Sequence, residues 1–306
     1  MTPSKVKGHL AILSANIIFG LNTTISRGLI PEVVSPFALT FFRMSGALLL
    51  FWGISLFTKK EKVPLKDIGM LFLASFFGIF INQFPFLVGL SHTSPIDASL
   101  VITLLPVFSM ILAAIFIKEP ITLKKVMGVI VGASGAILLI SRHADTDIGN
   151  GSLFGNLLVM SSSFSYAVYL TLFKKTISKY SPITCMKWMF LFASIMAFPF
   201  CFPSLQATDF SAFSTTTYLK IGYVVCAATF LSYLLIPIAQ KVLRPTTLSM
   251  YNYLQPIVAT TVAILVGLDH FRWDKLIAGA LVFTGVYLVT RSKSREQVEA
   301  EKTHHQ

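Results

Sequence analysis

The chain is expected to fold as an all-α integral membrane protein, with ten transmembrane helices arranged as two inverted five-helix repeats. Three observations predict this. The 306 residues are 54% hydrophobic and only 12% charged, with a mean hydropathy of +0.73, whereas a soluble domain is about 25% charged. Apolar stretches long enough to cross a bilayer core, which takes about 20 helical residues, recur ten times. The two sets of five also match each other at a shift of 150 residues: Pro95 falls on Pro245, Leu104 on Leu254, Pro106 on Pro256, Lys125 on Lys275, Gly135 on Gly285, and acidic Glu119 on acidic Asp269. Five is odd, so the second copy enters the bilayer from the opposite side to the first, as in the inverted repeats of carriers that open one central site to either face.

The apolar segments of the first half run over about 9–27, 36–57, 68–89, 98–117 and 125–141. Lys5 and Lys7 precede the first in the manner of a signal peptide, but no small-residue cleavage site follows and the apolar run continues past Asn22, so it is expected to stay as a helix. Those of the second half run over about 153–173, 183–202, 217–239, 246–266 and 274–290. The expected boundaries are a first repeat at 8–142, a second at 152–291 and a polar cytoplasmic tail at 292–306. The loops are too short to hold another domain. Cys185, Cys201 and Cys226 sit in or beside apolar segments without metal-ligand spacing and are expected to pack.

Charge sets the orientation. With the amino terminus inside, nineteen lysines and arginines fall in cytoplasmic loops and five outside, which places both termini in the cytoplasm of a cell whose inner membrane holds the chain. The net charge of +12 is accounted for by this topology, and no nucleic-acid partner is expected.

Residues 89–139, opening GLSHTSPIDASL, and 239–289, opening AQKVLRPTTLSM, share one pattern. Each has a small, Thr/Ser and Pro turn, a helix with a central proline, an acidic residue at its end, and a glycine-rich last helix. GHLAILSANIIFGLN and GNLLVMSSSFSYAVY open the two halves. Together these stretches resemble the EamA repeat of the drug/metabolite transporter superfamily over about residues 8–291. Phe19-Gly20 and Tyr166-Ala167 stand where such repeats often carry Trp-Gly. The resemblance implies a substrate cavity between the halves, lined by helices 1, 3 and 4 and their partners 6, 8 and 9.

The residues support that placement separately, because polar side chains in lipid must face a cavity or a partner. Asn16, Phe19 and Thr23 share a face of helix 1, with Asn22 off it. Helix 3 carries Asn82, Gln83 and Phe86; helix 4 carries Thr103; helix 6 carries Ser163, Tyr166 and Tyr169; helix 8 carries Tyr233; helix 9 carries Tyr251, Asn252, Tyr253 and Gln255. Each could instead hydrogen-bond between helices. As a set, rings beside amides suit a small amphipathic solute. Pro106 and Pro256 are expected as mid-helix kinks that hinge the gates. Glu119 and Asp269 end their helices against the dipole and are expected to form gate salt bridges, Glu119 with Lys124 or Lys125 and Asp269 with Arg272 or Lys275.

Arg43 is the single charge well inside a span. It could hold the anionic group of a substrate or tie helix 2 to loop carbonyls; similar repeats also tend to carry Arg here, which favours the structural tie. Gly128 and Gly132 form a GxxxG, offering either a homodimer face or a close contact within the bundle.

All thirteen carboxylates lie in loops, tails or helix ends. A proton-driven carrier normally keeps one at membrane depth, so uncoupled transport or exchange is expected. With no HExxH, paired mid-span Asp or Ser/His set, the sequence offers no catalytic residues, metal site or cofactor site. The expected activity is secondary transport of a small metabolite, by analogy export of amino acids or related compounds. The alternatives are exchange of a nucleotide sugar or other anionic metabolite, for which one arginine is thin support, and an intramembrane enzyme.

Overall fold

The computed structural model describes residues 3–30, 33–93, 98, 101–141, 153–265 and 273–293. Among them the structure is helical and carries no strand. In chain order the main helices are α1 (Pro3–Arg27), α2 (Pro36–Ser55), α3 (Leu65–His92), α4 (Leu105–Phe116), α5 (Leu123–Ser141), α6 (Leu153–Leu172), α7 (Pro182–Gln206) and α8 (Thr215–Val242). Next comes α9, made of Pro245–Met250, a 3-10 turn Tyr251–Tyr253 and Leu254–Leu265, and then α10 (Trp273–Thr290). Five of these, α2, α3, α6, α7 and α8, are long and apolar enough to cross a membrane, and shorter apolar helices accompany them.

Local chemistry sets the starts. Ser35 and Ser181 cap α2 and α7, accepting from the amides of Ala38 and Thr184, and each is followed by a proline at the first helical position, where the missing N–H costs nothing. Ser214 caps α8 in the same way. Large apolar side chains such as Phe57 (90% exposed), Leu65 (84%) and Leu265 (80%) lie on the surface. Water would penalise such a surface, whereas lipid accepts it.

The packing between the two halves is reciprocal. α1 lies against α8 and α9, while α6 lies against α3 and α4; α2 pairs with α7, and α5 with α10. The close contacts repeat the pattern. Gly8 sits against Ala239 and Val242, and Gly155 against Gly89 and His92. Gly128 and Gly132 lie against Gly285, and Gly135 against Ala278. The GxxxG of α5 therefore serves α10 rather than a free face. α3 and α8 each contain a π-helical stretch, Phe76–Phe80 and Val224–Leu231, which fall on one another at the 150-residue shift. Such bulges redirect side chains and are frequent at functional sites. In the first, Gly78 lies so close to the Tyr169 ring that a Cβ would come within 2.6 Å of it.

Candidate functional site

The central prolines lie beside an irregular turn in each repeat. The chain turns at residues 103 and 104 before α4 begins, so Pro106 lies in the first turn of a new helix. Pro256 likewise lies in the first turn of Leu254–Leu265, just after the 3-10 turn. A proline lacks the N–H that a mid-helix position needs, and a helix start is where that donor is not missed. Helical dihedrals continue through both places (Leu104 φ −76°, ψ −15°; Leu254 φ −75°, ψ −23°), so α4 and α9 each carry a break in the regular α-helical hydrogen bonding, at the same place in each repeat, beside the expected hinge positions Pro106 and Pro256.

A cavity of about 120 Å³ lies beside these breaks. Of the residues expected at a substrate site, Phe19, Asn82, Gln83, Phe86, Tyr166, Tyr233, Asn252 and Gln255 line it. So do Asn22, Arg43, Ile102, Leu105, Ser162 and Ser163. Asn22 lies off the helix face chosen from spacing. Its polarity within an apolar run was the usable signal, and the cavity spans more of α1 than one narrow face.

Two amide relays build the walls. Gln255 Nε2 donates to Asn252 Oδ1 and to Asn16 Oδ1, both at 2.9 Å. Asn16 Nδ2 in turn donates to the Ile12 carbonyl at 2.9 Å, tying α1 to the α9 break. On the other side Asn82 Nδ2 donates to the Ser162 hydroxyl at 3.3 Å, and that hydroxyl donates to the Asn82 carbonyl at 2.5 Å, tying α3 to α6. Between them, Gln83 Nε2 donates to Tyr233 Oη at 2.9 Å. These two residues are 150 positions apart, so each is the other's counterpart. The Tyr233 ring meets Phe19 edge-on with centroids 6.3 Å apart.

The other expected residues lie elsewhere. Asn16 and Tyr169 are buried behind the lining, Tyr169 stacked on Tyr166 at 5.8 Å. Tyr253 Oη donates to the Thr103 carbonyl at 2.9 Å, another contact across 150 positions that bridges the two breaks. Tyr251 is hydrogen-bonded to His9 Nδ1 at 2.7 Å. The Thr23 side chain and Asp269 lie outside the described residues.

Glu119 is buried, with Lys125 Nζ at 2.9 Å and Arg244 Nη1 at 3.6 Å. Lys125 Nζ also donates to the Pro120 carbonyl, and Arg244 to the carbonyls of Val289 and Thr290. The cluster thus joins the two halves at one end of the bundle. Two further links join the halves. Lys179 Nζ and Tyr180 Oη reach Asp67 at 2.9 and 2.6 Å, and the hydrogen bond to that carboxylate pushes the Tyr180 hydroxyl up to about 12. The Glu61 carboxylate accepts from the Ser181 amide and hydroxyl at 2.9 and 2.8 Å, at the start of α7. Burial pushes its pKa up, but these bonds and one from Thr184 outweigh it and hold the carboxyl below its ordinary range.

Comparison with known proteins agrees with this architecture. The family model of EamA-like transporters matches residues 6–141 and again 153–291. An uncharacterized transporter of Archaeoglobus fulgidus is 28% identical over 85% of this chain and 90% of its own length. The uncharacterized transporter YyaM of Bacillus subtilis is 23% identical over 84% and 86%, and a WAT1-related protein of Arabidopsis thaliana is 22% identical over 96% and 86%. A crystal structure superposes with a TM-score of 0.73 at 19% identity, covering 94% of this chain and 95% of that one, so the fold is shared. Matched twice, once by each half, this multi-pass membrane chain belongs to the EamA-like transporter family within the drug/metabolite transporter superfamily.

Proposed function

We propose that the chain is a secondary transporter that moves a small organic metabolite across the cell's inner membrane by alternating access. In this reading ten spans form two inverted five-helix repeats, at 8–142 and 152–291, with both termini and the 292–306 tail cytoplasmic. One observation carries it: a cavity at the join of the halves, walled by both, whose central Gln83–Tyr233 hydrogen bond connects counterpart positions. A site on the relating axis is the one place that two rocking halves can present to either face. The reciprocal packing of α1 on α8 and α9, and of α6 on α3 and α4, supports the inversion.

The Glu119–Arg244, Asp67–Lys179 and Glu61–Ser181 links all lie in loops or helix ends assigned to the cytoplasm. They act as the inner gate, and this conformation is the one closed to the cytoplasm. Among the described residues no acidic side chain lines the cavity, which fits uncoupled movement or exchange better than proton coupling. Its mixture of rings and amides suits amino acids or related metabolites, with export as the expected direction.

Proteoliposomes loaded with mixed amino acids, nucleosides and nucleotide sugars test this, with efflux followed by mass spectrometry and no pH gradient imposed. Selective loss of one class is expected. Efflux that begins only when a gradient is applied would overturn the uncoupled mechanism, and loss of nucleotide sugars alone would overturn the substrate assignment.

A further inference from the structure

Among the described residues Arg43 is the only charged side chain that lines the cavity, and they leave that charge largely unanswered. It is 5% exposed. Among the described residues its one hydrogen bond runs from Nε to Thr229 Oγ1 at 3.0 Å. That threonine hydroxyl itself donates to the Val224 carbonyl within the π stretch of α8. No loop carbonyl is among its described partners. A guanidinium has five N–H donors, and among the described residues the other four meet no acceptor. The described carboxylates of Glu61, Asp67, Glu119 and Asp209 are engaged at other sites. A buried cation left in this condition is costly unless something else completes it.

A second orphan lies on the same wall. Gln83 is 3% exposed and spends its Nε2 on Tyr233, while its buried Oε1 has no partner. The cavity therefore offers a forked cationic donor, with an unpartnered acceptor buried in its wall and Phe19, Phe86 and Tyr166 as apolar surface.

We propose that Arg43 receives the carboxylate of the transported solute, and that Gln83 Oε1 accepts from a hydrogen-bond donor next to that carboxylate. The assignment rests on the transporter reading and narrows it to small α-amino or α-hydroxy carboxylates with an apolar remainder. One guanidinium matches one monovalent carboxylate in fork geometry. A phosphate dianion would keep an uncompensated charge, because no second basic residue among those described lines the cavity. The charge has no symmetry copy: counting from the capping serines Ser35 and Ser181, the counterpart of Arg43 is Met189. A carboxylate held by one repeat alone is thus oriented, with its apolar end toward the other.

The test measures binding and flux separately. Thermal protection of the purified, detergent-solubilised protein is recorded with leucine, phenylalanine and lactate, and with leucinamide, phenylalaninamide and lactamide. Efflux of the same six compounds is followed from proteoliposomes. Wild type is expected to be protected by at least one acid and not by its amide. Arg43→Met, which installs the residue of the counterpart position, should weaken that binding about tenfold or more, while its melting temperature without solute is no lower than wild type. A structural tie predicts the reverse: Arg43→Met melts early and acid and amide are not distinguished. Should Arg43→Met not fold, the acid–amide comparison on wild type and on Gln83→Leu decides, Gln83→Leu being expected to keep acid binding at reduced strength. Equal protection by acid and amide, or protection by none of the six, overturns the assignment. Acid binding that needs Arg43 without any efflux leaves it standing and overturns the transporter reading; efflux of amides at the rate of acids does the opposite.

Discussion

Gly285→Ala should separate the last helices of the two repeats. A Cβ on Gly285 would lie 2.6 Å from the Gly128 carbonyl oxygen, 2.6 Å from the Gly132 nitrogen and 2.7 Å from the Gly132 Cα. All three are backbone atoms of α5, so no side chain can turn away. Carbon contacts settle at about 3.5–4.0 Å, which requires the α5 and α10 axes to part by roughly 1 Å. A gap of that size forfeits about a quarter to a half of each contact's attraction along the seam, where Ala136, Ala278, Val282 and Val289 are now fully or almost fully buried. The expected cost is about 3 kcal/mol, at the upper end for an overpacked site. In a chain of this size that corresponds to roughly 6 °C in melting temperature. Gly279 is the control. It is on the same helix with nothing within 4 Å of its Cβ position, so Gly279→Ala should be neutral or slightly stabilising through helix propensity. Thermal unfolding of both variants in one detergent, followed by a thiol-reactive dye, makes the comparison. If the two melt within a degree of each other, the α5–α10 crossing is not as close as described and the reasoning fails.

Lys125→Met strands the buried Glu119 carboxylate with only Arg244 at 3.6 Å; breaking one partner of such a pair should cost about 3–5 kcal/mol. The double variant Glu119→Gln/Lys125→Met should recover most of it, and a double variant no more stable than the single would refute the pairing. Glu61 gives a pH signature. Its folded pKa lies below the ordinary value of 4.5, so its contribution to stability is present above that value and is lost as pH falls through the lowered folded pKa. The difference in melting temperature between wild type and Glu61→Gln should therefore shrink as pH drops from 6 to 3, and a difference that does not change with pH would show that the carboxylate is not what holds the start of α7.

Much of the fold was legible because lipid narrows the choices. Residues without water must satisfy their backbone internally, so apolar runs of sufficient length are helices before any packing is known. The site was partly legible for a related reason: Asn82, Gln83, Asn252 and Gln255 are costly in lipid, and all four line the cavity. Spacing on one helix served less well. It favoured the face of Asn16 over Asn22, yet Asn16 is occupied with Gln255 while Asn22 meets the cavity, because a wall is shaped by the neighbouring helices.

The sequence by itself determined that the chain is helical, suited to a membrane and built from two copies of one pattern, since the apolar runs and the match between the two halves are properties of the string. Only the tertiary structure decided what the exceptional residues do. Pro106 and Pro256 sit beside an irregular turn at the same place in each repeat, Gly128 and Gly132 serve a contact inside the bundle, and Arg43 meets a cavity and Thr229 of the other half. Each outcome depends on which atoms of distant segments arrive within about 3–4 Å, and no local pattern encodes that distance.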